Sequence, residues 1–284
     1  MIKNRGVWRV VKWLLGAVGV LLLVCIVWQG MQRPSLTGDW QTQLDDISTA
    51  EFNGNTVTVR NVRNFRYGPT EADMHPDYYT KTYDLNGVER VWYTTEPFNE
   101  NKLAAHTFLT FEFKNGDFLA ITMEARKTKA QSYSIWKGML RTYPLVYIAA
   151  DERDVTLLRA NLRKDEVYVY PVKLSKPENA RLLLADVLER MNDLLVHPVW
   201  YHTLFANCTS SIAYHVNRLS PDRVSSLSWQ LWLTASADEL ALKRGLLDTD
   251  LSIEQARAKY AVTARSQEVG DVSDYSKRIR EFSQ

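Results

Sequence analysis

A charge-free run at residues 13–32, WLLGAVGVLLLVCIVWQGMQ, constrains this chain more than any other feature. Hydrocarbon offers backbone groups no partners, so an apolar run of about 20 residues is expected to cross a bilayer as one helix. Trp13 and Trp28 stand near its two ends, where aromatic rings favour the membrane–water interface. Lys3, Arg5, Arg9 and Lys12 precede it, and only Arg33 follows closely. The positive-inside bias therefore predicts a cytoplasmic tail at 1–12, a span at 13–32 and the rest of the chain on the far side. A cleaved signal peptide is the competing reading. The run is long for a signal core and has no small-x-small cleavage site before Gln32. Cys25 follows Val24, where a lipid-modified cysteine needs a small residue, so Cys25 is expected to face lipid or to pack.

The remainder is long enough to bury one substantial core. With 35 basic and 33 acidic residues the net charge is only +2, which gives nucleic-acid binding no support. Residues 33–55 are expected as a linker and lead-in, 56–225 as the main domain and 226–284 as a helical extension. Alternation from Thr56 to Tyr67 predicts strand, with Arg60, Arg63 and Arg66 along a solvated face. Ser175-Lys176-Pro177-Glu178 predicts a capped start for a long amphipathic helix, and Ser252 to Gln255 predicts another.

Cys208 is the only cysteine outside the apolar run. Asn207 is a good helix N-cap, and Ile212, Val216 and Leu219 form a helical stripe after it. Cys208 is thus predicted in the first turn of a helix, where unpaired N–H groups favour a thiolate near neutral pH. A small core cysteine is the plainer reading. An unpaired thiol beyond the membrane, in an oxidising space, argues for a use as a nucleophile. A zinc site is disfavoured, because Cys208 and His215 would stand about 10.5 Å apart along one helix and metal–ligand bonds are only about 2.0–2.3 Å. No metal and no cofactor are expected.

The segment AAHTFLTFEFKNGDFLAITMEA at 104–125 is the clearest hairpin. A two-residue Asn115-Gly116 loop would set apolar positions against polar ones. A three-residue loop with Gly116 as a bulge instead pairs Phe111 with Leu119 and Leu109 with Ile121. That register puts His106 opposite Glu124. His106 is then the expected base for Cys208, with Glu124 fixing its tautomer. His202 is the rival base, while Asn207 and Arg126 are possible accessory residues.

These residues resemble a known family. AHTFLTFEF, MEAR, YIAADERD with Arg159 and Arg163, YVYP and WYHTLFANCTSSI, in that order, are similar to the bacterial Lnb N-terminal periplasmic domain family. More distantly the order resembles the permuted papain-like fold of lecithin retinol acyltransferase. The resemblance implies an α+β fold with an antiparallel sheet packed on helices, anchored in the bacterial inner membrane by one span. It implies thiol-dependent acyl transfer or hydrolysis on a lipid or lipoprotein ester, using Cys208 and His106. Lnb-type transacylases carry further membrane spans after this domain, and none is expected in this chain. An amidase or peptidase acting on envelope peptides, and a silent envelope-assembly protein, are the alternatives. No particular protein partner is implied.

Overall fold

The computed structural model describes residues 4–98, 103–220 and 223–282. Lys3 of the basic flank lies outside these residues. Helix α1 (Asn4–Met31) takes in the rest of that flank as well as the apolar run. Its stretch Gly6–Met31 is long and apolar enough to cross a membrane, and its most apolar window is not buried in the fold.

The expected polar linker is pinned rather than loose. Trp200 Nε1 donates to Gln32 O, and the Arg126 guanidinium donates to the carbonyls of Leu36, Leu44 and Asp45 while lying 4.4 Å over the Trp40 ring.

Among the described residues the strands are β1 (Thr49–Asn53), β2 (Thr56–Arg63), β3 (Tyr78–Asp84), β4 (Val88–Pro97), β5 (Ala105–Phe113), β6 (Phe118–Ala125), β7 (Leu145–Asp151) and β8 (Tyr168–Pro171). They form one sheet in the order β1-β2-β7-β6-β5-β4-β8, with β3 also on β2. All pairings are antiparallel except β2 with β7. The sheet begins at Thr49, ahead of the expected domain start at 56.

The helices are α2 (Ile135–Met139), α3 (Glu152–Leu157), α4 (Glu178–Val196), α5 (Cys208–Leu219), α6 (Ala237–Lys243), α7 (Ile253–Tyr260), α8 (Thr263–Val269) and α9 (Tyr275–Arg278). Helix α7 has the capping box expected of Ser252 and Gln255. Helix α4 lacks its own: it starts behind Pro177 with no side-chain cap, and Ser175 Oγ instead accepts from Asn179.

The β5–β6 hairpin has the register that apolar matching predicts. Leu109 pairs with Ile121 and Phe111 with Leu119. Gly116 adopts φ +86°, and its N–H donates to Phe113 O across the three-residue loop. One face of this hairpin meets Leu184, Val187 and Met191 of α4 and Ile212 of α5 in the main core. Leu247, Ala256 and Tyr260, beyond residue 226, share that core. On the other face Phe108 and Ala120 pack against Val155 of α3. With both faces covered, β5 is buried along almost its whole length, its polar His106, Thr107 and Thr110 included.

One expectation about β2 fails. Arg63 does not lie on a solvated face: it is buried, and its guanidinium grips both oxygens of Asp154 at 2.9 and 3.2 Å. The register shift between Val59 and Val62, with Asn61 at φ 54°, breaks the alternation and turns Arg63 inward. Asp154 also accepts from Phe65 N and Tyr67 Oη, which compensates its burial.

Candidate functional site

The sheet brings three acidic and basic side chains into one row. Glu96 on β4 lies opposite His106 on β5, and the β5–β6 register carries the row on to Glu124 on β6. Cross-strand partners share a face, so the row follows from strand pairing alone. From the other side, α5 starts over β5. Thr209 Oγ1 bonds Thr107 Oγ1 at 3.1 Å, and Cys208 Sγ approaches Ala105 O at 3.9 Å. Cys208 and His106 are 5% and 7% exposed. Both line one cavity of about 480 Å³, together with Glu124, Lys127, Arg159 and Arg163. Tyr133, Ile135, Tyr201, Trp232 and Leu233 supply much of its apolar wall.

Asn207 holds the start of α5. Its Oδ1 accepts from Ser210 N, Ser210 Oγ accepts from Asn207 N, and its amide donates to the carbonyls of Thr203 and Leu231. Cys208 is therefore the first residue inside a capped helix, where its N–H has no partner within the helix.

The imidazole is oriented by a hydroxyl as well as by the carboxylate. His106 Nε2 lies 2.7 Å from Thr122 Oγ1 and 3.3 Å from Glu124 Oε1, and Thr122 Oγ1 donates to Glu124 Oε1 at 2.9 Å. An ionised carboxylate only accepts, so the single proton of Thr122 is committed to Glu124. Thr122 must then accept from Nε2–H. That fixes the tautomer and leaves Nδ1 with a free lone pair. Glu124 is in turn held by Arg159, whose Nη2 is 3.4 Å from Oε1 and whose Nε pairs with Glu96 Oε2 at 2.5 Å.

Burial dominates the ionisation of the site. It pushes His106 down to about 3, against the pull of Glu124 and helped by Arg159, Arg163 and Lys127. It would raise Glu124, but His106, Arg159 and Lys127 outweigh it and hold that carboxyl at about 2. Buried Glu96 rises to about 7 in spite of Arg159. Burial also raises the Cys208 thiol, hydrogen bonds from Thr107 and Thr209 offset part of this, and the Glu124 charge adds to it. A thiolate near neutral pH was the expectation from the helix start. Desolvation overrides it, and the folded site holds a neutral thiol and a neutral imidazole.

The other named residues fall elsewhere. Arg126 pins the segment after α1 and does not line the cavity. His202 is half-buried against Phe205, and its Nδ1 accepts from Leu204 N. His215 is fully buried between Asp186 at 2.6 Å and Tyr147 at 3.0 Å. His197 pairs with Asp193 at the exposed end of α4. Among the described residues no cluster of three or more His, Cys, Asp or Glu could hold a metal.

Sequence reasoning missed Thr122, Glu96 and the placement of Arg159. Thr122 stands two residues before Glu124 on one strand and so shares its face, a signal that was legible. Glu96 could be found only by pairing β4 with β5. Arg159 needed the fold, because it reaches the row from a π-helical turn at Leu158–Arg163.

A membrane-length helix, an eight-stranded sheet flanked by helices, and a cavity holding a thiol and an imidazole–carboxylate pair define an envelope-anchored domain of mixed α/β class. Residues 75–235 match the Lnb N-terminal periplasmic domain, and the chain belongs to that family. No curated protein and no solved structure matches it.

Proposed function

We propose that this protein is a periplasmic lipoprotein- or lipid-modifying enzyme that moves acyl groups through a thioester on Cys208. The observation that carries this reading is that a buried thiol and an oriented imidazole line the same largely apolar cavity. The family's periplasmic character and the N-terminal apolar helix support a single-pass anchor with residues 1–12 in the cytoplasm and the domain outside. The permuted papain-like arrangement is supported by chain order, with the histidine strand preceding the cysteine helix.

In the proposed reaction His106 Nδ1 takes the Sγ proton as sulfur attacks the ester carbonyl, so charge develops only when substrate is present. The Cys208 N–H, at the start of α5, faces the developing oxyanion. Collapse breaks the C–O bond, the imidazolium proton passes to the leaving alkoxide, and the acyl group remains on sulfur. An amine or water then gives its proton to Nδ1 and attacks the thioester. Cys208 leaves as thiolate and takes the proton back. Glu124, through Thr122 and directly, stabilises the imidazolium during both halves, and Arg159 keeps Glu124 in place.

Full-length protein in detergent micelles, given a diacyl phospholipid or a diacylated lipopeptide, is expected to release a monoacyl product. Cys208→Ala should abolish release and His106→Ala should slow it about 100-fold, the usual cost of a lost general base. Cleavage of envelope peptides with no lyso-product would sink the acyl-transfer reading.

A further inference from the structure

The mouth of the Cys208 cavity is framed by apolar side chains that stand exposed. Leu103, Ile135 and Leu233 line the cavity and are also exposed, Leu103 by 61%. Phe205 (64% exposed) stands 6.2 Å from the Trp232 ring, and Thr203 Oγ1, two residues before it, donates to Ile135 O. Trp136 (72% exposed) and Leu140 continue the patch along α2 and past its end. Large apolar groups gathered on one face need a partner surface.

The end of α1 identifies that surface. Gln29 Nε2, in its last turn, donates to Leu140 O at 2.7 Å, and Trp200 Nε1 donates to Gln32 O at 2.9 Å. If α1 spans the bilayer, its last turn lies at the interface, and whatever bonds Gln29 lies at headgroup depth. Lys137 and Arg141 are exposed beside Trp136 and Leu140, which places positive charge where anionic headgroups stand. We infer that the rim formed by Trp136, Leu140, Phe205, Leu103, Ile135 and Leu233 is a membrane-seating surface that inserts into the adjacent leaflet and opens the cavity directly onto lipid. An ester would then pass from the bilayer to Cys208 without crossing water. The inference rests on α1 as a membrane span, and on nothing in the proposed chemistry.

Full-length protein carrying Cys25→Ser and Cys208→Ser, in nanodiscs of phosphatidylethanolamine and phosphatidylglycerol, can carry single nitroxide labels at Trp136→Cys, Phe205→Cys and Leu233→Cys. Leu22→Cys serves as the depth reference, and Glu51→Cys and Glu89→Cys report the exposed far strands. The collision ratio of oxygen to a water-soluble nickel chelate should exceed one at the three rim sites and at Leu22, and fall below one at Glu51 and Glu89. Rim ratios below one with Leu22 above one would overturn the seating surface while leaving the tether intact. A ratio below one at Leu22 would overturn both. Low collision with both reagents at the rim, with dipolar broadening between copies, would make this face a protein–protein contact and overturn the proposal.

Discussion

At the scale of single residues, burial keeps Cys208 and His106 neutral beside an ionised Glu124. The ordinary imidazole pKa of 6.5 falls to about 3 at His106, and the ordinary carboxyl value of 4.5 falls to about 2 at Glu124. Between pH 6.5 and about 3 the unfolded chain binds a proton at His106 that the folded chain refuses, so stability falls as pH falls through that window. Glu124 acts in the same direction lower down: its contribution is present above 4.5 and is lost as pH drops toward about 2. Urea unfolding followed from pH 7 to 4.5 should therefore show a decline that His106→Gln flattens. An equal decline in wild type and variant would show that His106 is not buried in its neutral form.

At the scale of elements, the hairpin and the cysteine helix were legible because each is decided locally. Apolar matching across β5 and β6 allows one register, and Gly116 is the residue that tolerates φ +86° in its loop. Asn207 ahead of an apolar stripe marks α5 just as clearly. What escaped depends on partners distant in sequence. Arg63 turns inward at a bulge to meet Asp154, and Arg126, next to the Glu124 strand, serves the segment after α1 rather than the cavity. The thiol's ionisation escaped as well, since the helix start is visible in sequence and the desolvation is not. The cap itself can be tested. Asn207→Ala loses the bond to Ser210 N and strands the carbonyls of Thr203 and Leu231, and should cost about 2 kcal/mol. The check is the denaturation midpoint at constant m-value. Asn207→Asp keeps the cap acceptor and should fall between the two; an Asn207→Ala variant as stable as wild type would mean that α5 is set by packing alone.

At the scale of the whole molecule, one fold joins the apolar helix to the Cys208 cavity. The segment after α1 runs beneath Arg126 to β1, and Gln41 N donates to Lys127 O, placing it beside a residue of the cavity wall. Reporter fusions at Gln32 and at the C-terminus should both read as periplasmic, and a cytoplasmic signal at the C-terminus would reverse the proposed orientation. On the proposed route Cys208 and His106 stay neutral until an ester enters, so the decisive quantity is the covalent state of the thiol after exposure to lipid. Intact-mass analysis of the full-length protein, quenched in acid after incubation with diacyl phospholipid or lipopeptide, should show one added acyl chain. That adduct should map to Cys208, be removed by neutral hydroxylamine, and be missing from Cys208→Ala. An unmodified thiol in a preparation that still releases lyso-product, or an adduct that persists in Cys208→Ala, would contradict the thioester route.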